Sequence, residues 1–222
     1  MRCYRGMATS VYLESGSKRV FACALDWPGW CRSGKTEEQA LAALAAYVSR
    51  YAVVAREARL EFPNGAGSSF DVVQRLKGSF DTDFGVPGRE AAPDRDPLSR
   101  REAETLAGLL AASWTVFDRV VAAAPPALRK GPRGGGRDRD AIRDHVIGAE
   151  SMYARKMGIR SPQPASRDGS AVTAVRAAML EAVRSATGTP QVPDKDWPVR
   201  YAVRRAAWHE LDHAWEIEDR SR

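Results

Sequence analysis

The sequence predicts an α+β protein, with a small β-β-α-β domain followed by an all-α four-helix bundle. Short apolar alternations bounded by glycine and proline occupy the first third of the chain, which is typical of strands. Four long stretches with apolar residues at helical spacing occupy the remainder. Helices that follow one another without intervening strands bury their apolar stripes in a bundle. We therefore expect domains at residues 1–79 and 98–222, with residues 80–97 as the connection.

The first domain is predicted to contain a hairpin, one helix and a further strand. These elements are expected at residues 10–14, 19–25, 37–58 and 70–76. Pro28 and Gly29 fix a turn between the hairpin and the helix. Thr36 can cap the helix, because its hydroxyl satisfies an early backbone N–H, and Gln39 stands at the capping-box position.

The second domain is predicted to contain four amphipathic helices, after a connection dense in Asp, Gly and Pro. They are expected at residues 99–124, 139–157, 171–187 and 197–219. Apolar residues of the first of these helices repeat at helical spacing along one side. The inward stripe of the second is predicted to comprise Ile142, His145, Ala149, Met152 and Lys156.

The chain is basic, with a net charge of +6 and a pI of about 9.5. A basic chain raises the question of a nucleic-acid partner. Most basic residues have acidic neighbours, and the one concentrated stretch, residues 129–139, lacks the interleaved aromatic residues that stack on bases. We therefore expect a solvated loop there and no nucleic-acid partner. The sequence shows no apolar run approaching the ~20 residues of a bilayer span and no secretory signal, so we expect a cytoplasmic protein.

Cysteine usage fits the same compartment. Cys3, Cys23 and Cys31 are an odd number of thiols, all within the first 31 residues. In a reducing cytoplasm such residues stay as thiols. Because Cys23 and Cys31 lack C-x-x-C spacing, we expect packed or free thiols rather than a zinc site or a redox pair.

The three histidines of the chain, His145, His209 and His213, predict a metal site inside the bundle. His209 and His213 are four residues apart on one helix, so they project from the same face one turn apart. His145 is predicted on the inward stripe of another helix, which can bring it opposite the pair. Three neutral imidazoles with an open position suit Zn²⁺, or alternatively Ni²⁺ or Fe²⁺.

Residues 209–213 also match H-E-x-x-H, the motif in which a glutamate activates a zinc-bound water. Glu210 is thus a candidate catalytic general base. It points about 100° round the helix from His209, however, so a solvated side chain is the alternative. Asp212 also puts a charge where such proteases have uncharged residues, which counts against a protease. A metal-dependent hydrolase that uses Glu210 is the alternative function.

The helical half resembles the DinB/YfiT-like superfamily over residues 98–219. The resemblance rests on His145 followed by E-x-x-Y, ending at Tyr153, and on the H-x-x-x-H pair of the last helix. It implies a four-helix bundle with crossed connectivity, with all three histidines as ligands of a divalent metal. It also implies a thiol-dependent S-transferase or isomerase that uses mycothiol, bacillithiol or glutathione.

The first domain resembles the HicB-like fold over residues 8–76. The run at residues 24–40 carries that family's strand, Pro-Gly turn, Gly-x-Thr and helix start. The resemblance implies a unit that binds a protein partner. No DNA-reading motif accompanies it, so a ligand-binding or dimerising unit attached to an enzyme is expected, and a non-catalytic binding module is the competing function.

The expected reaction is therefore a metal-dependent transfer in which a thiol attacks an electrophilic small-molecule substrate. Trp114 and Tyr153 are candidates for lining the substrate pocket, and each could instead be a core residue. A homodimer through the bundle or the small sheet is a reasonable assembly.

Overall fold

The computed structural model describes residues 8–131, 135–160, 162–188 and 196–221. Over these ranges the α+β class is confirmed, with a four-stranded sheet followed by helices. Cys3 and residues 132–134 of the predicted basic loop lie outside the described residues. The strands are β1 (Thr9–Ser15), β2 (Val20–Ala24), β3 (Cys31–Gly34) and β4 (Phe70–Lys77).

The sheet has one more strand than the sequence predicted. Its order is β3-β2-β1-β4, with β1–β2 and β2–β3 antiparallel and β1–β4 parallel. The additional strand β3 has the sequence CRSG, and only its first residue is buried. A strand of four residues without apolar alternation leaves no period to detect, and only backbone pairing with β2 reveals it.

The predicted helix at residues 37–58 is two helices, α1 (Glu37–Ala46) and α2 (Val48–Glu57). The predicted cap is confirmed, because Gln39 N donates to Thr36 Oγ1 at 3.2 Å. The break falls at Tyr47, whose φ of −97° and ψ of 4° are not helical. The Tyr47 ring packs edge-on against Trp215, with 4.9 Å between centroids, a contact with the C-terminal part of the chain that sequence periodicity cannot show.

The connection contains a short helix, α3 (Phe80–Phe84), and a 3₁₀ turn (Ala92–Arg95). It is tied to the sheet by the fully buried carboxylate of Glu14 on β1. That carboxylate accepts hydrogen bonds from the backbone N–H of Gly88 at 3.0 Å and of Arg89 at 2.9 Å. The Thr82 hydroxyl donates a third at 2.5 Å. The connection is therefore a strap held against the sheet.

Four long helices form the remainder, each within two residues of its predicted bounds. They are α4 (Arg100–Ala123), α5 (Arg139–Lys156), α6 (Gly169–Ser185) and α7 (Val199–Arg220). Both α4 and α5 pack against α6 and against α7. Consecutive helices α4 and α5 therefore stand across the bundle from each other, and α7 lies between them.

The helix α7 is buried on several faces, whereas an amphipathic surface helix buries one. Leu211 and Trp215 pack in the same apolar cluster as Trp30 of the N-terminal part. The turn before β3 touches α7 directly: Gly29 has φ 91°, and a Cβ at this glycine would stand 2.6 Å from Leu211 Cδ1. Because no larger residue fits there, the glycine lets the sheet approach the helix.

By length and composition alone, α4 is apolar enough to cross a membrane. Half of its apolar stretch is buried inside this structure. A core helix of a soluble protein meets the same criterion, so the feature is weak evidence of a membrane span.

A buried ion pair joins the strap to α7. The guanidinium of Arg204 makes a two-point contact with the carboxylate of Asp94, and the two side chains are 6% and 1% exposed. Asp94 also accepts from the backbone N–H of Ala91 at 2.7 Å, and the Arg204 guanidinium lies 4.9 Å from the Tyr12 ring centroid. Removal of either charge would leave the other buried without a partner.

We expect Asp94→Ala to lower the free energy of unfolding by about 3–5 kcal/mol, because it leaves the Arg204 charge unpaired in the interior. Asp96→Ala, an exposed neighbour on the same strap, should change it by less than about 0.5 kcal/mol. Urea unfolding followed by circular dichroism measures both. Equal effects of the two substitutions would contradict the assigned role of the pair.

Candidate metal centre

Three histidine side chains converge between α5 and α7. His209 and His213 lie one turn apart on α7, and His145 faces them from α5. One ring nitrogen of each lies within 4.8 Å of those of the other two. The closest approach joins His145 Nε2 and His209 Nε2, at 3.1 Å. We call these three residues the histidine triad.

The spacing of the triad suits a single ion. Two imidazole nitrogens that each bind one zinc ion at about 2.0–2.1 Å, at the tetrahedral angle, stand about 3.3 Å apart. The 3.1 Å between His145 Nε2 and His209 Nε2 is close to that value. Among the described residues, the triad is the one group of three or more histidine, cysteine, aspartate or glutamate side chains whose ligand atoms converge.

The lowered pKa values of two of the rings also favour the binding of a metal cation. Burial lowers the pKa of His209 well below its ordinary value, and the neighbouring His213 adds to the effect. Burial also lowers the pKa of His145, again with His213 as the second cause. A lowered pKa keeps an imidazole neutral near pH 7, with one nitrogen lone pair available for a metal.

A carboxylate orients the third ring. His213 Nδ1 lies 2.8 Å from Glu216 Oε2, and Arg220 Nη1 donates to Glu216 Oε1 at 2.6 Å. A carboxylate on the far nitrogen of a ligating histidine fixes its tautomer and its orientation. With Nδ1 engaged in this way, Nε2 of His213 is the nitrogen left for an ion. By contrast, His209 Nδ1 is buried and has no hydrogen-bond partner among the described residues.

The predicted inward stripe of α5 is confirmed for Ile142 and wrong for His145 and Met152. The residues that α5 buries are Ile142, Val146, Ile147, Glu150, Ser151, Tyr153 and Ala154, so the packed face is rotated by about one residue from the predicted one. His145 is exposed, as is Met152 at 41%. His145 therefore lies at the rim of the triad and not in the core, which leaves the triad open to solvent on the α5 side.

Glu210, the candidate general base, is fully buried, so the expectation of a solvated side chain is wrong. Within the described residues, its carboxylate oxygens have no hydrogen-bond partner other than the carboxyl group of Glu150. Burial, followed by the charge of Glu150, raises the pKa of Glu210 well above its ordinary value. No hydrogen bond or ion pair in the described part of the chain joins Glu210 to the triad, and Glu210 instead faces Glu150 of α5.

Glu150 and Glu210 share a buried ionic cluster with one arginine. Arg176 of α6 donates to Glu150 through Nη2 at 2.7 Å and through Nε at 2.9 Å. Its Nη1 donates to Asp118 of α4 at 2.5 Å. Burial also raises the pKa of Glu150. The pair of carboxyl groups therefore favours holding a proton, because two adjacent negative charges are costly in a dry interior.

Trp114 and Tyr153, the candidate pocket residues, are 4% and 1% exposed. Tyr153 packs edge-on against His209, with 5.8 Å between centroids. Trp114 lies under the guanidinium of Arg176, at 5.3 Å. The structure thus brings Tyr153 to the inner wall of the triad and places Trp114 beside the carboxyl cluster.

Sequence reasoning assigned no role of their own to Glu216, Glu150 and Arg176. A signal for Glu216 was available, because it stands three residues after His213 and four before Arg220, both helical contact spacings. Glu150 is the glutamate of the E-x-x-Y motif, but its contact with Arg176 carried no local signal, since the two residues meet across two helices. No family model, curated protein or solved structure matches this chain. The two family resemblances therefore remain predictions from the motifs.

We expect Arg176→Met to lower the free energy of unfolding by about 3–5 kcal/mol, because it removes the cation that, among the described residues, is hydrogen-bonded to the buried Glu150. The matched control is Arg184→Met on the same helix, whose exposed pair with Glu104 should cost at most about 1 kcal/mol. Addition of Glu150→Gln to Arg176→Met should restore part of the loss. Denaturant unfolding of the wild type, of Arg176→Met, Glu150→Gln and Arg184→Met, and of the double variant measures these effects. An absence of coupling between Arg176→Met and Glu150→Gln would contradict the cluster.

Proposed function

We propose that this protein is a divalent-metal-dependent enzyme that catalyses a thiol-dependent S-transfer or isomerisation at the histidine triad. The observation that carries the metal part is the convergence of three imidazole nitrogens from α5 and α7 within 4.8 Å. The thiol part rests on the resemblance to the DinB/YfiT-like superfamily. The substrate is an electrophilic small molecule.

The triad residues have different tasks in this proposal. His209 is the buried anchor, His213 is held by Glu216, and His145 stands at the solvent-exposed rim where a ligand can enter. Zn²⁺, Ni²⁺ or Fe²⁺ held there would act as a Lewis acid that lowers the pKa of a thiol entering the site. Mycothiol and bacillithiol are the leading candidates for that thiol.

Fixed positive charge around the triad supports a thiolate mechanism. The charges of Arg205 and Arg137 both act on His209 and contribute to its lowered pKa. Arg205 lies over the Trp208 ring at 4.6 Å from its centroid. Its Nη1 is buried and has no hydrogen-bond partner in the part of the chain that the structure describes. A positive local potential stabilises a thiolate relative to its thiol and would also attract an anionic group of a cofactor.

The position of Glu210 disfavours the hydrolase alternative. A general base must come within hydrogen-bond reach of the proton that it abstracts. Glu210 is fully buried against Glu150, and within the described residues no hydrogen bond joins it to the triad, so it is not placed to take a proton from a ligand of the ion. We therefore assign Glu210 to packing in the bundle, and we treat water-dependent turnover as an outcome of the tests below.

The metal proposal predicts about one divalent ion per chain and its loss on removal of a ligand. His145→Ala is the primary variant, since this exposed residue can be replaced without disturbing the core. His209→Ala should lose the ion as well. Glu216→Gln should weaken affinity about 10–100-fold, as expected for a partner that orients a ligand. Elemental analysis and competition with a chromophoric chelator measure both quantities.

The control for this series is Asp144→Asn, an exposed acidic neighbour of His145 outside the triad, which should bind the ion normally. Circular dichroism establishes that each variant is folded. A wild-type protein that neither retains nor binds Zn²⁺, Ni²⁺ or Fe²⁺ contradicts the proposal.

The thiol proposal predicts turnover of an electrophile such as 1-chloro-2,4-dinitrobenzene only when a thiol is supplied. The metal-loaded protein is mixed with mycothiol, bacillithiol or glutathione in separate reactions, and the thioether product is quantified by mass spectrometry. We expect the thioether with at least one thiol and its loss in His145→Ala. Conversion to the hydroxylated product without any thiol would overturn the transferase and favour the hydrolase.

A further inference from the structure

Two buried thiols face each other across the edge of the sheet, away from the histidine triad. Cys23 of β2 and Cys31 of β3 are 1% and 2% exposed. They are directly opposed in the strand register, and their Sγ atoms lie 2.7 Å apart. Both are free thiols, as the sequence predicted, although the absence of C-x-x-C spacing concealed their juxtaposition.

The strand register makes this position suitable for a covalent bond. The next pair along, Ala24 and Trp30, is the hydrogen-bonded one, because Ala24 N donates to Trp30 O at 3.0 Å. Cys23 and Cys31 therefore form the non-hydrogen-bonded pair, in which Cα atoms are about 4.5 Å apart and side chains are closest. That separation lies within the usual range for a disulfide, so the two sulfur atoms could bond without a large movement of the backbone.

The surroundings make the two thiols unreactive while the strands are paired. They are packed among Tyr12, Phe21, Ala91 and Trp208. Burial, followed by the contact with Cys23, raises the pKa of the Cys31 thiol well above its ordinary value. Because the thiolate is the reactive form, exchange requires the strand pair to open locally. The edge strand β3 is suited to this, since it has four residues and pairs only with β2 within the sheet.

We propose that Cys23 and Cys31 are a redox-active dithiol that forms a reversible disulfide across β2 and β3 by exchange with low-molecular-weight disulfides. One cysteine thiolate attacks the disulfide RSSR, forms a mixed disulfide and releases one thiolate RS⁻. The second cysteine thiolate then attacks the protein sulfur of that mixed disulfide and releases another RS⁻. The protein loses two electrons and two protons, and RSSR is reduced to two RSH.

Formation of the disulfide would fix β3, which contacts α7, to β2. Arg32, next to Cys31 on β3, pairs with Asp212 of α7 at 2.7 Å. Asp212 immediately precedes His213 in the chain. Trp208 of α7 belongs to the same apolar cluster as the two cysteines, in which it packs against Phe21, and it immediately precedes His209. A bond between β2 and β3 would therefore act on a part of the sheet that touches α7 beside two members of the triad.

The test uses the full chain with Cys3→Ser, so that two cysteines remain. The reduced protein is equilibrated with mixtures of glutathione and glutathione disulfide, quenched with acid, and alkylated with N-ethylmaleimide under denaturing conditions. We expect both alkylation sites to disappear together in intact mass spectra. The mass of the oxidised protein should be lower by two hydrogen atoms than that of the reduced, unalkylated protein, and no glutathione adduct should persist. Peptide mapping should recover the Cys23–Cys31 cross-link.

Cys31→Ser in the same background is the control, because a single cysteine can give only a glutathione adduct or an unchanged thiol. Near-ultraviolet circular dichroism of the reduced proteins verifies that both are folded. Persistence of two alkylated thiols in glutathione disulfide alone would overturn the proposal. Stable glutathione adducts in place of the internal bond would overturn it equally.

Discussion

The burial of α7 on several faces is the constraint on which the other parts of this structure depend. Its Leu211 packs against the turn that carries Gly29, so the sheet lies directly on the helix. Its Arg204 is paired with the strap, and its Glu210 faces α5. With the sheet, the strap and two other bundle helices in contact with it, α7 has little freedom to rotate or slide, because packed interiors tolerate few alternative arrangements.

Buried charge reinforces this constraint. Arg204 is an interior residue of α7 and is paired with the carboxylate of Asp94 on the strap. A buried charge without compensation is much more costly than a misplaced apolar group. A shift of α7 by one residue would separate Arg204 from its carboxylate and bring other charged side chains into the core. The Arg204–Asp94 pair thus selects one orientation of the helix, and that orientation points His209 and His213 toward α5.

The triad that results has a closed side and an open side. His209 is enclosed by Tyr153 and Trp208, whereas His145 reaches solvent. An open position beside three nitrogen donors is typical of catalytic rather than structural metal sites. The same helix is connected to the edge of the sheet through Arg32. The N-terminal part is therefore in physical contact with the helix that carries His209 and His213, and a change in the edge strand has a direct route to the triad.

The sequence by itself determined the α+β class, the bounds of the four long helices and the three histidines as a group, because helical periodicity and one-turn spacing are local properties. It also determined the cap at Thr36. Only the tertiary structure decided which face of α5 is buried, that Glu210 turns toward Glu150, and that Cys23 meets Cys31. Strand β3 belongs with these, since a short edge strand is defined by its partner. Each of these features depends on contacts between residues far apart in the chain or on backbone pairing, which periodicity does not record.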